Sequence, residues 1–337
     1  MNIRDIARLA GVTHTTVSRV LNNKGYISEE TKRKVLKVIK ANDFYPSEAA
    51  RRTSLGMGEE IAFISTKYAS QFISRVIEGA EDKSYGMGKY ENKLTLYSTR
   101  GTQDLKKEIL MRILHGKLAD AVIMLFVEPD RATVSAYKKA GIPIILLEGK
   151  MKGVHSITVD NISGAYDATS FLTGKGMKKI GLIRGETGVE EVGPTPMDRE
   201  TGYKKALSEA GIAFDRNLVE EVKTYSFEEG KLALGKLLSR ERALDAVFCA
   251  AGDICAMGVI EHAKELKIKV PREISVIGFD DIITSSQVKP ALTTVRQPVY
   301  EMGGRAFEMA VDAAEGRLKN IVNLSVKPQL IVRESVK

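Results

Sequence analysis

Seven of the ten residues from Thr13 to Asn22 carry hydrogen-bonding side chains: Thr13, His14, Thr15, Thr16, Ser18, Arg19 and Asn22. On the outward face of a helix, short hydroxyls, an imidazole and a guanidinium complement the donors and acceptors of base edges in the DNA major groove. An ordinary solvated helix face reads the same way, so both alternatives stand until the surroundings are weighed. Catalytic chemistry has no comparable cluster. His14, His115, His155 and His262 are scattered without metal-ligand spacing or an evident nucleophile partner. There is no GxGxxG after a strand, no GxxxxGK followed by Ser or Thr, and no GxSxG, so the usual nucleotide and hydrolase devices are missing. Cys249 and Cys255 fit neither a CxxC redox pair nor a zinc knuckle and read as buried small hydrophobes. No enzyme activity, metal or cofactor is expected.

Three short helical patterns must position the polar run. The first spans Ile3 to Ala10, with Asn2 as N-cap and Ile6, Leu9 and Ala10 on one side, and Gly11 stops it. A small residue and a glycine at Ala10-Gly11 let two helices approach as the chain reverses. The second helix runs from about Thr13 to Asn22, with Val17, Val20 and Leu21 as its apolar stripe. After the break at Asn23-Lys24-Gly25, the third begins behind Ser28 as cap and continues through Val35, Leu36, Val38 and Ile39 to about Asn42. Three such stripes can enclose one small core.

Charge supports the nucleic-acid reading. Residues 1–58 hold eleven Lys and Arg against five Asp and Glu, which places six of the chain's eight net positive charges there. A positive field concentrated in one small segment suits a polyanion, because neutralised phosphates release counterions. Residues 46–58 form a linker with one potential helical turn or two, too short to be a stable helix alone. From residue 60, β-rich runs alternate with helical ones: 61–65, 93–98, 121–125 and 143–148, then 179–185, 218–225, 246–250 and 275–280. This alternation predicts two consecutive doubly wound lobes of parallel strands. Ligands bind such sheets outside the carboxyl ends of their strands, so two facing lobes make a cleft site. No segment approaches the roughly 18 apolar residues that span a bilayer. The opening Met1-Asn2-Ile3-Arg4-Asp5 lacks the apolar core of a secretory signal, so a soluble cytoplasmic protein is expected.

The run from Ile3 to Asn22 resembles the signature of the LacI/GalR family of bacterial transcription regulators. Further blocks extend the resemblance along the whole chain: Val159-Asp160-Asn161, Arg199 with Gly202-Tyr203, Gly252-Asp253, Val276-Ile277-Gly278-Phe279-Asp280-Asp281 and Pro290-Ala291-Leu292-Thr293-Thr294-Val295. The resemblance implies an all-α helix-turn-helix headpiece (1–45), a hinge (46–58) and an α/β periplasmic-binding-protein-like sensor (59–337) of two doubly wound parallel-sheet lobes. Lobe 1 is expected over about 59–160 and 291–320, and lobe 2 over about 161–290 and 321–337.

What the family does is then expected here: a homodimeric repressor reads a pseudo-palindromic operator under control of a small-molecule effector. His14, Thr15 and Arg19 match its base-reading positions, while Thr16, Ser18 and Asn22 hold phosphates, with Thr13 opening the face. Arg19 stands out because a guanidinium engages guanine O6 and N7 together. Hinge residues Ser47, Ala50, Arg51 and Thr53 fall at the minor groove. The family's wedging leucine, seven residues after the hinge proline, is here Thr53, and Leu55 lies about half a helical turn off. Weaker discrimination at the central base step is expected. For the effector, the resemblance implies Arg199 and Asp280 as the gripping pair, Tyr225 as aromatic platform, Tyr68, Gln71 and Phe72 from lobe 1, and Thr195 and Asp253 from lobe 2. Gly252 stands where members often carry asparagine, so a hydroxyl-binding amide is missing. A sugar or sugar derivative is the expected effector, with a purine as the alternative. A sugar-binding transport protein shares the lobes but has no use for a basic headpiece.

Overall fold

A computed structural model of the 337-residue chain describes residues 3–21, 27–42, 60–187 and 193–337. The headpiece comprises α1 (Ile3–Ala10), α2 (His14–Leu21) and α3 (Glu29–Ala41). Gly11, at φ +64°, ends α1, and the amide of Val12 donates back to the Ala7 carbonyl at 2.9 Å. Thr13 caps α2 through its hydroxyl, which accepts from the Thr16 amide at 3.2 Å, and Ser28 caps α3 by accepting from Thr31 at 3.3 Å. Ile6, Ala7, Ala10, Val17, Val20 and Val35 form the small core. Leu9 and Leu36, expected on the inner stripes, are instead exposed, at 55% and 45%. Close helix approach in so small a core favours Ala7 on the inner face of α1.

The rest alternates strand and helix. The first lobe takes β1 (Ile61–Ser65), α4 (Gln71–Ser84), β2 (Leu94–Ser98), α5 (Gln103–Gly116), β3 (Ala121–Leu125), α6 (Arg131–Ala140), β4 (Ile144–Leu147) and β5 (His155–Val159). The second lobe takes α7 (Asn161–Gly174), β6 (Ile180–Gly185), α8 (Thr195–Glu209), β7 (Val219–Val222), α9 (Phe227–Arg240), β8 (Ala246–Cys249), α10 (Asp253–Glu265), β9 (Ser275–Asp280) and β10 (Thr293–Arg296). The chain then returns through α11 (Val299–Ala314) and β11 (Asn323–Val326) to the first lobe and ends on β12 (Gln329–Ile331) in the second.

Each lobe holds a six-stranded sheet, ordered β11-β5-β4-β3-β1-β2 and β12-β10-β9-β8-β6-β7. All pairings are parallel except β10 with β12. Helices cover both faces, which is why β1 and β3 are apolar runs buried along their whole length rather than alternating. One apolar cluster lies on each side of each sheet.

Two expected lobe limits are corrected by strand pairing. Thr293–Arg296 pairs with β9, so the stretch expected to open the returning part of lobe 1 at residue 291 belongs to lobe 2 as far as Gln297. Asn323–Val326 pairs with β5, so residues 321–326, expected in lobe 2, belong to lobe 1. The run 218–225 is a strand only to Val222, and Tyr225 sits beyond it in a turn at φ +56°.

Candidate functional site

The polar run lies as expected on α2. Val17 and Val20 point into the core, and Thr13, His14, Thr15 and Arg19 are exposed, with Thr16 and Ser18 half-buried. The Thr13 hydroxyl also lies 2.9 Å from those of Thr15 and Thr16, which orders the start of the helix. Asn22, Ser47, Ala50, Arg51, Thr53 and the rest of the hinge fall outside the described residues. The exposed face is chemically what a major groove accepts: a guanidinium, an imidazole and hydroxyls on one rigid helix.

The second constellation forms where the lobes meet. Arg199, on α8, is 7% exposed. Its Nε donates to Asn161 Oδ1 at 2.8 Å and its Nη1 to the Ala250 carbonyl at 2.6 Å, while the guanidinium stacks 3.6 Å from the Phe279 ring centroid. Gly202 makes this reach possible: a Cβ there would come 2.2 Å from the Ile162 carbonyl, so only glycine lets α8 press against α7, which carries Asn161. Burial lowers the pKa of Arg199, opposed by the charges of Asp280, Tyr225 and Glu148.

Asp280 ends β9 at φ +116°, followed by Asp281 at φ +57°, two residues in backbone regions that side chains rarely occupy. Such strain persists only where surroundings impose it. Here Gln297 Nε2 donates to Asp280 Oδ1 at 2.6 Å, and Asp281 is clamped by Arg296 at 2.6 Å and Arg333 at 2.7 Å. Burial pushes the Asp280 carboxyl up to about 6, against the pull of Arg199 and Gln297. The Tyr225 hydroxyl is buried with no hydrogen-bond partner among the described residues, and the same holds for Gln297 Oε1. Both are what a ligand's polar groups can satisfy.

Of the lobe 1 residues, Phe72 packs on Phe126 with centroids 5.5 Å apart, and Tyr68 turns its hydroxyl back to the Phe63 carbonyl at 3.2 Å. Gln71 is exposed at the start of α4, and Thr195 is half-buried at the start of α8. Asp253, expected to hold effector, is fully buried and committed. Its carboxylate accepts from Thr294 at 2.5 Å, Ser285 at 2.6 Å and the Ile282 amide at 3.0 Å, tying the loop after Asp280 to β10. It is a positioning residue. Gly252 is explained too: it adopts φ +106°, and a Cβ there would meet Asp280 Oδ2 at 2.8 Å.

Sequence reasoning missed Glu148, Asn161 and Gln297. Glu148 follows β4, is 8% exposed, and accepts from the Val159 amide at 2.7 Å. Burial pushes its pKa up to about 7, opposed by Val159, Arg199 and Asn161. Its signal was an acidic residue closing an apolar strand at the carboxyl end, where such sheets bind ligands.

These raised values carry a stability consequence. A carboxyl whose folded pKa exceeds its unfolded one binds its proton more tightly when folded, so its contribution is full at low pH and is lost as pH rises. For Glu148 the window runs from 4.5 to about 7, and for Asp253, lifted by burial and by Asp280, from 3.8 to about 7. The melting temperature of the ligand-free protein is therefore expected to fall more steeply between pH 5 and 8 in wild type than in Glu148→Gln. Thermal unfolding followed by circular dichroism checks this, and parallel curves would contradict it.

Among the described residues, no helix is long and apolar enough to cross a membrane, and no group of His, Cys, Asp and Glu is arranged to hold a metal ion. Residues 2–47 match the family described as "Bacterial regulatory proteins, lacI family", and residues 169–336 match the "Periplasmic binding protein-like domain". The chain is 34% identical to the HTH-type transcriptional regulator RegA of Clostridium saccharobutylicum, covering 99% of this chain and 98% of that protein. It is 31% identical to the HTH-type transcriptional repressor PurR of Proteus mirabilis (strain HI4320), over 99% and 96% of the two chains. Among solved structures it resembles a transcriptional regulator CelR–cellobiose complex, with TM-score 0.71 and 25% identity over 99% of both chains. It shares the fold of the Lac repressor dimer bound to operator and the anti-inducer ONPF, with TM-score 0.72 and 21% identity over 99% and 98%.

Proposed function

Because this chain belongs to the LacI family of bacterial regulatory proteins, we propose that it is a cytoplasmic repressor controlled by a sugar or sugar derivative held between its lobes. It is a DNA-binding transcription regulator, not an enzyme. In this reading a homodimer places two α2 helices in adjacent major-groove half-sites of a pseudo-palindromic operator, with His14, Thr15 and Arg19 on base edges and Thr13, Thr16, Ser18 and Asn22 on or near phosphates. Ser47, Ala50, Arg51 and Thr53 of the hinge reach the minor groove between them.

The observation that carries effector control is the Arg199–Asp280 cluster with two unsatisfied polar atoms, Tyr225 Oη and Gln297 Oε1. A guanidinium supplies donors, a carboxylate supplies acceptors, and Tyr225 offers a ring face, the set that vicinal hydroxyls complement. Tyr68, Gln71, Phe72 and Thr195 complete the walls. A purine effector is the second reading, favoured by relatives named PurR and by Gly252 in place of a hydroxyl-binding amide. DNA fragments enriched by the protein from a random pool should share a two-fold-symmetric sequence and lose affinity steeply with salt. A pool without a shared sequence would overturn the reading.

Dimerisation is supported by a lobe 2 surface. Phe227, Ile254 and Ile283 are exposed at 37%, 41% and 70%. They sit on adjoining segments: the Phe227 carbonyl lies against Gly258 of α10, and the Ile282 amide bonds Asp253 beside Ile254. Large exposed apolar side chains grouped this way mark an association surface. The double variant Ile254→Glu, Ile283→Glu is expected to sediment as a monomer and to lose at least about tenfold in operator affinity, since one headpiece reads only one half-site. A dimeric variant would move the interface elsewhere.

A further inference from the structure

Taking the cleft as an effector site, as proposed above, we infer that it admits uncharged ligands bearing hydroxyl or amide groups and rejects anionic ones, and that Glu148 sets this preference. An anion held by arginine needs the planar donors of the guanidinium free and its charge uncompensated. Arg199 keeps three of its five N–H groups, but its charge is compensated. Two of its N–H groups are spent on Asn161 and the Ala250 carbonyl, and its flat face is covered by Phe279. Its charge is faced by buried Glu148 and half-buried Asp280, with Asp253 behind them. The pattern repeats one residue earlier in the chain: Asp198 lies in the field of Lys150 and of a second carboxylate, Asp160. Asp280 and Glu148, once ionised, thus outnumber the one cation they both face, Arg199.

The unsatisfied atoms point the same way. Gln297 is 4% exposed, its Nε2 is committed to Asp280, and its Oε1 has no partner among the described residues. A carbonyl oxygen needs a donor, as does any carboxylate oxygen that faces a ligand. Hydroxyl, amide and ring N–H groups donate, whereas a phosphate dianion or a carboxylate only accepts and leaves these oxygens bare. Glu148 is the decisive member because it comes from lobe 1 and faces Arg199 and Asp280 of lobe 2; burial lifts its pKa to about 7, so at pH 7.5 it is mostly ionised and adds a negative charge beside Asp280.

The test is a thermal-shift and calorimetric titration of the full-length protein at pH 7.5 with matched pairs: ribose and ribose 5-phosphate, glucose and glucose 6-phosphate, hypoxanthine and inosine 5′-monophosphate, with cellobiose alongside. Binding by uncharged members, with each phosphorylated partner weaker by at least about 100-fold, is expected from charge repulsion at this depth. A phosphorylated compound that binds as well as or better than its uncharged partner overturns the inference and leaves the effector reading standing. If no compound binds, the effector reading falls and the inference with it. In Glu148→Gln, which keeps an acceptor for Val159, the ratio of uncharged to phosphorylated affinity should narrow at least tenfold. Asp198→Asn, at a half-buried position, should narrow it in the same direction. Ratios unchanged in both variants would remove the carboxylates from the role.

Discussion

Arg199→Met should yield a regulator deaf to its effector. The side chain joins three segments of lobe 2: Asn161 at the start of α7, the Ala250 carbonyl after β8, and Phe279 before the strained Asp280 turn. Removing the cation leaves two acceptors without donors and confronts Asp280 with Glu148 uncompensated. Each buried acceptor left without its donor costs about 1–3 kcal/mol. Effector affinity is accordingly expected to fall by at least two orders of magnitude, with a lowered melting temperature, while α2 still binds DNA. Arg199→Lys should rescue little, because an ammonium cannot reproduce both bonds and the stacked plane. Calorimetric titration beside an operator-binding assay separates the effects. A variant that keeps its effector response would remove Arg199 from the centre of the site.

Arg19→Ala should produce the complementary defect. Its guanidinium is exposed on the face of α2 opposite the core valines, where it can make a bidentate contact to guanine. One such contact is worth about 1–3 kcal/mol of discrimination, so each half-site should lose roughly 5–150-fold in preference for the correct base. The loss should fall on one base pair per half-site and leave non-specific affinity much less changed. Thr16→Ala, by contrast, should weaken all sequences about equally, as expected of a phosphate contact. Operator selection repeated with each variant distinguishes them, and an unchanged preference in Arg19→Ala would move base reading to His14 and Thr15.

The local patterns of the sequence translated well because they report on local physics. The glycine stop at Gly11, the Ser28 cap and the buried apolar strands are each decided within a few residues. What was not legible depends on distant partners. β5, His155–Val159, is polar at three of its five positions, yet it is wholly buried because β4 and β11 flank it. The exchange of β10 and β11 between lobes reflects pairings some 15 to 170 residues apart, which no window of sequence displays. The cluster around Arg199 shows both cases. Arg199, Asp280 and Tyr225 came from resemblance and lie together. Asp253 lies beside them with its carboxylate spent on Thr294, Ser285 and the Ile282 amide, and a carboxylate in the first turn of a helix looks the same in sequence whether it faces ligand or fastens a loop. Glu148, Asn161 and Gln297 come from three separate segments, and only the folded chain shows that they converge on Arg199 and Asp280.

The central claim is that the cleft and the headpiece are energetically coupled, and a reciprocal titration tests it most directly. Operator affinity is measured by fluorescence anisotropy with the cleft empty and then saturated with the uncharged compound that binds in the matched-pair panel. Effector affinity is next measured with and without operator. Coupling predicts a shift of at least about fivefold in operator affinity and the same factor in effector affinity, since linkage is reciprocal. Identical operator affinity with the cleft empty and saturated would contradict the account.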